Sequence, residues 1–424
     1  MTTIAGLVLF ITFFIFLIIG LPIALAIILS SIITLLLILP FDVTIVTAAQ
    51  RMVTGIDDFT MLAGIIMNNG SIAFRLVNFA KVLVGRLPGS LAHTNIVGNM
   101  FFGSISGSSV AAAAAMGRIM GPMEKTQGYK KEYSAAANIA SAPSGLLIPP
   151  SSLLIVYSLV SGGTSIAALF IAGYIPGILW GIACMIVAYV MAKKQGYKVS
   201  EKISWKDRLF LTLDALPSLF LIVVVIGGIV GGIFTATEGA AVAVLYSVVL
   251  SLIYKSLKIK QLSNVIKETA EISGMILFLI TASALFSLVM SYTGLPEAIS
   301  NGIISMTDNP IALLLLINVI LLVIGTFMDI TPAVLIFTPI FLPISEVLGL
   351  DPIHFGIIIA FNLCIGNITP PVGSALFVGA SVGGVRVESV FKYLIPYFVA
   401  LIILMLIITF IPQLSLFLPK LLGL

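Results

Sequence analysis

Long apolar runs, each interrupted by a short polar or glycine- and proline-rich stretch, set the pattern of this chain. Residues 4–39 are almost wholly apolar, with Gly20-Leu21-Pro22 in the middle. That pattern predicts two short spans joined by a tight turn, with one long tilted helix as the alternative. Residues 44–56 are mixed and end near Arg51, Asp57 and Asp58, which fits an interfacial helix. A third span covers about 59–80. Residues 90–121 hold two short apolar pieces around Gly103-Ser104-Ile105-Ser106-Gly107-Ser108-Ser109. Each piece is too short for a hydrocarbon core that takes about 20 helical residues, so a re-entrant hairpin with its tip at this run is expected. A basic loop over 118–132 follows, then a fourth span (133–160) and a fifth (166–192).

The longest polar stretch, residues 193–208, is the natural midpoint, with Trp205 as an interfacial anchor. Spans six (209–234), seven (238–255) and eight (272–292) come next. The charged stretch 258–271 between seven and eight is expected to lie along the membrane surface. Residues 310–345 repeat the hairpin pattern, with a tip at Gly325-Thr326-Phe327-Met328-Asp329-Ile330-Thr331-Pro332. Span nine covers 354–382 and span ten 389–418.

Spans four and nine share a feature. Gly145-Leu146-Leu147-Ile148-Pro149-Pro150-Ser151-Ser152 lies in one and Gly366-Asn367-Ile368-Thr369-Pro370-Pro371-Val372-Gly373 in the other. Two adjacent prolines remove two backbone donors and clash with the preceding turn, so each helix must break there. In a bilayer, broken backbone is tolerated only where it is buried in protein or lines a wet cavity. The match extends further at one offset of 221 residues: Pro122 on Pro343, Gly128 on Gly349, Gly145 on Gly366, and Gly162-Gly163 on Gly383-Gly384. The chain therefore reads as two repeats, 1–208 and 209–424, each holding a hairpin (90–121; 310–345) and a broken span (133–160; 354–382).

Composition agrees. The chain of 424 residues is 60% hydrophobic and only 9% charged, against about 25% charged in soluble domains. The fold class is an all-α polytopic membrane protein of about ten spans plus two re-entrant hairpins. Five spans and a non-crossing hairpin per half invert the second repeat relative to the first, as in many secondary transporters. Charge supports that count. With the N-terminus outside, all 21 lysines and arginines except Arg51 and Lys420 fall at cytoplasmic ends, as the positive-inside rule requires. The net charge of +4 is therefore a matter of topology, and no nucleic-acid partner is expected. Met1-Thr2-Thr3-Ile4 has no basic n-region, so no cleaved signal peptide is expected. Cys184 and Cys364 lie in apolar spans as inert buried thiols.

The chemistry concentrates at the tips and breaks, which should meet near mid-membrane. Half-helix N-termini there suit a carboxylate, and half-helix C-termini with free carbonyls suit sodium. Ser104, Ser106, Ser108 and Ser109 supply oxygens at the first tip, and Thr326, Asp329 and Thr331 at the second. Asn95, Asn99, Asn362 and Asn367 are further polar groups at membrane depth. Asp329 is the single carboxylate in these elements. A carboxylate at that depth is a functional hypothesis by default, here cation coordination or protonation; capping the following half-helix is the structural alternative. The Gly103–Gly107 spacing also fits close helix packing. His93 and His354 lack neighbours at metal spacing and are expected to be solvated or hydrogen-bonded. Glu238 is expected to cap a helix. Enzyme chemistry is not expected. Gly103-Ser104-Ile105-Ser106-Gly107 has Ile105 where G-x-S-x-G needs serine, and neither H-E-x-x-H nor a Walker loop is present.

The first hairpin, the Pro143-Ser144-Gly145 to Pro149-Pro150-Ser151 break and Asp329-Ile330-Thr331-Pro332 resemble the large membrane subunit of TRAP (tripartite ATP-independent periplasmic) transporters, most closely the sialic-acid branch. The Ile368-Thr369-Pro370-Pro371 break is also similar to the wider superfamily of dicarboxylate/sodium symporters. The resemblance spans the chain and implies a scaffold plus a mobile domain, made of both hairpins and spans four and nine, that moves by an elevator motion on a sodium gradient. It implies a bacterial inner-membrane location with the N-terminus periplasmic, and an unfused large subunit. Its implied partners are lipid, a small four-span membrane subunit and a periplasmic binding protein that delivers an organic acid. Sialic acid is the favoured cargo and a C4-dicarboxylate the next. Carried over by position, one Na+ is held by Ser104, Ser106, Gly107, Ser144 and Gly145. A second is held by Gly325, Thr326, Met328, Asp329, Gly366 and Thr369. The substrate meets Ser108, Ser109, Pro150, Ser151, Thr331, Pro371 and Gly373. The competing readings are a stand-alone symporter and a cation/proton antiporter of the same superfamily.

Overall fold

A computed structural model describes residues 2–54, 72–197, 204–254, 259–294, 302, 309–370 and 373–424. Among these the regular structure is helical throughout. The expectations for Asp57, Asp58, Lys198, Lys202, Lys255, Lys258, most of the loop 293–310, the first part of span three and Pro371 lie outside the described residues.

The opening apolar run is two helices, α1 (Thr2–Ile18) and α2 (Ile23–Ile38). Gly20 turns the chain with φ of 89°, a conformation that favours glycine, and Pro22 precedes the new helix. The stretch expected to be interfacial forms the amphipathic helix α3 (Phe41–Thr54). α4 (Ile72–Val84) carries Arg75, which pairs with Asp214 and lies 3.5 Å over the Tyr254 ring. The first hairpin is α5 (Ser90–Ser106) and α6 (Ser109–Thr126). The first broken span has three pieces, α7 (Lys131–Ser141), α8 (Ser144–Leu147) and α9 (Ser152–Val160), bent by 49°. Then come α10 (Ile166–Gln195), α11 (Trp205–Val230), α12 (Ala236–Ile253) and α13 (Ile259–Thr293). The second hairpin is α14 (Pro310–Phe327) and α15 (Ile330–Val347), and the second broken span is α16 (Pro352–Asn367) and α17 (Ser374–Gly383). α18 (Val387–Phe410) and a short α19 (Gln413–Leu421) close the chain.

Local chemistry sets many of these ends. Asn309 and Asp351 each accept a backbone N–H just ahead of α14 and α16, with proline in the first helical position. Glu238 closes a reciprocal capping box with Thr235, as expected of a cap. Trp205 is 77% exposed at the start of α11, which suits an interfacial anchor. Tyr129, between α6 and α7, stacks on Tyr197 at 4.2 Å, and burial pushes its phenol above the usual range.

The structure corrects four expectations. The charged stretch before span eight is not a separate surface helix; α13 runs through it without a break. Gly274 is its one glycine and no proline interrupts it, and a lone helical glycine costs only about 1 kcal/mol. Span ten ends at Phe410, where Pro412 turns the chain into α19. The first tip is narrower than the glycine/serine run, because α5 stays helical through Ser106 and turns only at Gly107 (φ 62°). The arms of the second hairpin are each 18 residues and apolar enough to cross a bilayer, so length alone does not make them re-entrant.

Among the described residues, five helices meet that length and apolarity (α10, α11, α14, α15, α18), with α7–α9 a sixth when taken as one bent span. Their outer faces carry exposed apolar side chains such as Val223, Val319 and Ile403, which in water would be costly. α15 is 72% buried over its apolar window against 28% for α14, so the hairpin has an inner and an outer arm. α14 packs on α16, α6 on α17, and α5 on α7 and α8. Each hairpin thus meets a broken span.

Candidate functional site

At the first tip, Gly107 ends α5 in the left-handed conformation and its N–H returns to the Gly103 carbonyl at 2.8 Å. Ser108 starts α6 by accepting the Ala111 N–H at 3.2 Å. A helix C-terminus and a helix N-terminus therefore lie side by side, one rich in carbonyls and the other in N–H groups. α8 closes on this tip through glycine against glycine. A Cβ on Gly145 would stand 2.2 Å from the Cα of Gly103, so no other residue fits without moving backbone. Ser104 donates to the Phe101 carbonyl of its own helix at 2.9 Å, and Ser144 donates back to the Ser141 carbonyl at the end of α7 at 2.6 Å. Both serines are fully buried. Ser106 lies 3.4 Å from the Ser108 carbonyl. Ser152 donates to Gly107 O at 2.7 Å and ties the break to the tip.

The second half repeats the device. A Cβ on Gly366 would stand 2.4 Å from the Cα of Gly325. Met328 and Asp329 are extended between the two arms, with Met328 buried and Asp329 exposed. Asp329 occupies the N-cap position of α15, yet its side chain makes no cap bond. Its carboxylate instead accepts from Asn367 Nδ2 at 3.3 Å and Ser374 Oγ at 3.1 Å. Thr326 and Thr369 donate to Val323 O and Ile365 O, each at 2.7 Å. Gly373 is buried at the start of α17, where a Cβ would meet Thr369 O at 2.7 Å.

Asn367 joins the halves. Its Oδ1 accepts from Ser109 Oγ at 3.1 Å and from the Ala375 N–H at 3.3 Å, and its Nδ2 donates to Ser374 Oγ at 2.8 Å. Ser109 starts α6 and Ser374 starts α17, so two helix N-termini converge on one amide beside Asp329. Of the residues expected at the substrate, Ser109 and Gly373 belong to this meeting point. Ser108 and Ser151 cap their own helices; Ser151 is fully buried, accepting from Leu154 N–H and donating to the Leu146 carbonyl. Pro150 and Thr331 are half-buried at the first break and on the first turn of α15. Ser374 is not among the residues expected from the sequence, and Asn367 is expected only as a polar group at membrane depth, outside the sodium and substrate sets. Their signal is polar side chains flanking Gly366 and Gly373, on either side of the second break.

Among the described residues no group of three or more His, Cys, Asp and Glu is placed to hold a metal. His354 meets the Thr409 carbonyl at 3.3 Å, the hydrogen-bonded alternative, and the full burial of His93 excludes the solvated one there. Both cysteines are free and buried.

This arrangement of paired glycine contacts and broken helices can be set against known proteins. Residues 10–414 match the family model described as the DctM component of the tripartite ATP-independent periplasmic transporter. The chain belongs to this family. It is 52% identical to the uncharacterised protein YgiK of Salmonella typhimurium, over 98% of this chain and 97% of that protein. It is 37% identical to the sialic acid TRAP transporter large permease protein SiaM of Vibrio cholerae, over 88% of this chain and 89% of SiaM. It is also 37% identical to the C4-dicarboxylate TRAP transporter large permease protein DctM of Pseudomonas aeruginosa, over 86% of each. Among solved structures, the Alcanivorax borkumensis YdaH transporter aligns with a TM-score of 0.60 and 14% identity over 91% of this chain and 90% of that one, a likeness of fold. As a TRAP large permease subunit, the chain is a multi-pass component of a secondary transporter, and its family relatives carry different organic acids.

Proposed function

We propose that this subunit imports an organic acid by sodium symport, taking it from a periplasmic binding protein beside a small four-span membrane subunit. It sits in the bacterial inner membrane with its N-terminus periplasmic, and its two repeats are inverted. The observation that carries this reading is the Asp329–Asn367–Ser374–Ser109 cluster, where a carboxylate and two helix N-termini from different halves of the chain converge. Asp329, with the backbone around Gly325, Met328, Gly366 and Thr369, supplies the oxygens for one Na+. The end of α5 around Ser104, Ser106 and Gly107, facing Ser144 and Gly145, supplies those for the other. Hard oxygen donors suit a hard cation. The starts of α6 and α17 offer N–H groups to the substrate carboxylate, and this carboxylate would lie between Ser109 and Gly373. Both hairpins with both broken spans form the mobile unit of an elevator, consistent with α6 packing on α17 and α14 on α16.

Sialic acid is the first cargo to test and a C4-dicarboxylate the second. The site as built reads charge through backbone dipoles and hydroxyls, which separates these two weakly. The second reading is a stand-alone symporter, or a proton antiporter in which the exposed Asp329 carboxyl is the proton site.

The test is uptake of labelled sialic acid into proteoliposomes with the small subunit, with sodium gradient and binding protein each present or absent. Uptake that needs both supports the tripartite reading. Uptake without the binding protein supports the stand-alone carrier. No sialic acid uptake in any condition, followed by sodium-dependent C4-dicarboxylate uptake, would keep the mechanism and change the cargo.

A further inference from the structure

Arg118, Gly121 and Lys125 recur on one face of α6, and Lys131, Ser134 and Asn138 on one face of α7. These two faces, with Asn95 of α5 and the end of α17 beyond Gly379, enclose a cavity of about 460 Å³. Gly121 borders open space, since a Cβ there would meet nothing within 4 Å. The volume falls in the range of small-molecule sites, about 300–1,000 Å³. A bare ion, near the size of a water at about 30 Å³, would leave most of it empty.

Charge selects the ligand. Arg118, Lys125 and Lys131 all line the cavity, and all three are exposed. Among the described residues none of them is in an ion pair. The single carboxyl on the wall, Glu124, is 1% exposed. It ends a polar seam that is already bonded: Asn95 Nδ2 donates to Glu124 Oε1 at 3.3 Å, and Asn99 Nδ2 donates to Asn95 Oδ1 at 3.3 Å. Burial pushes the Glu124 carboxyl above the usual carboxylate range, so its neutral form is the less costly one there. Three like charges around one cavity repel each other, and an anion between them relieves that repulsion. No side chain caps the start of α7, so free N–H groups and a positive dipole end lie at the Lys131 end as well. The positive-inside rule accounts for basic residues at this end of the chain; it does not require three of them to share a cavity. At the offset of 221 residues the second repeat has Pro339, Glu346 and Pro352 in their place, so only the first repeat carries this lining.

The cavity also lies on the helices that begin at the substrate cluster. α6 starts at Ser109 and α17 at Ser374, and both starts bond Asn367. Their nearest lining residues, Gly117 and Gly379, come eight and five residues later, about 12 and 8 Å of helix. An anion leaving the cluster therefore meets a second positive site a short step away, at the end that the import reading places toward the cytoplasm. Exposed, screened cations hold an anion weakly, which suits release.

We propose that this cavity is a second, weaker binding site for the transported organic acid, where Arg118, Lys125 and Lys131 receive its carboxylate after it leaves the Ser109–Gly373 site toward the cytoplasm. This rests on the organic-acid import reading above.

The experiment uses the purified full chain in nanodiscs of zwitterionic phosphatidylcholine. Phenylglyoxal labels arginine, and mass spectrometry follows Arg118 with sialate or succinate present or absent. At least one of these acids is expected to slow Arg118 labelling at least about threefold, in choline as in sodium. Gly121→Leu fills the cavity without removing a charge, and Lys125→Gln with Lys131→Gln removes charge without filling it; each is expected to abolish the protection. Asp329→Ala is expected to keep it. Arg118 labelling indifferent to both acids overturns the site. So does protection by anionic phosphatidylglycerol nanodiscs alone, with none from either acid in phosphatidylcholine, which would make the ligand a lipid phosphate. Sodium-dependent binding of each acid is measured in the same samples. Binding intact with Arg118 unprotected removes the second site and leaves the import reading standing, whereas no binding of either acid overturns both. Should a variant fail to fold, protection of Arg118 in the unmodified chain decides.

Discussion

Asp329 has the position of a helix cap and the bonding of a ligand. Its carboxylate bypasses the α15 N–H groups and turns to Asn367 and Ser374. Because it is exposed and caps nothing, Asp329→Ala is expected to abolish sodium-dependent uptake while leaving the fold intact; equal sodium dependence of variant and unmodified chain in proteoliposomes would remove it from the ion site. Asn367 is the opposite case, buried and bonded to several partners. Asn367→Ala leaves those groups unsatisfied, at about 1–3 kcal/mol, so a lower melting temperature should accompany the loss of transport. Gly145→Ala places a methyl 2.2 Å from the Cα of Gly103. Backbone cannot yield as a side chain does, so a loss of at least about 1–3 kcal/mol is expected, read as reduced thermal stability in detergent.

At the scale of elements, the broken helices are held open by more than proline. The first break interrupts the helix twice, at Ala142-Pro143 and again over 148–151. Ser151 then caps α9, and the Gly103–Gly145 contact pins α8. Pro149→Ala with Pro150→Ala restores two donors and favours a continuous fourth span. Uptake normalised to the amount of membrane-inserted protein should fall; normal uptake would show that the capping serine and the glycine contact suffice to shape the break. α12 offers a control away from the site. Thr235→Ala removes its capping box and should cost about 1 kcal/mol without changing the sodium dependence of uptake.

For the whole molecule, the elevator reading requires the first hairpin and the end of the second broken span to move together. A Cβ on Gly117 of α6 would lie 3.4 Å from the Cβ of Val382 in α17, close to the separation a disulfide needs. Oxidised Gly117→Cys/Val382→Cys is therefore expected to keep its transport rate. Arrest on oxidation, reversed by reductant, would mean that these helices separate during the cycle. The native cysteines are buried and should not interfere.

The pattern of apolar runs, the two proline breaks and the offset of 221 residues were enough to place nearly every helix, because in a membrane protein hydrophobic length and backbone-breaking residues act locally. The same local chemistry made the tips and Asp329 legible. Pairings across the chain were not. Gly103 meets Gly145 and Gly325 meets Gly366 because small residues let two backbones touch, and a sequence shows the glycine without its partner. Asn367 joins Ser109 across 258 positions. Glu124 reads in the sequence as one more charge in a basic loop region, and only packing turns it into a buried carboxyl at the end of a polar seam. Composition and periodicity decide where helices form. Which polar groups are shut away from water, and therefore must find each other, is decided by the tertiary structure, since burial belongs to the packed molecule and not to any segment of it.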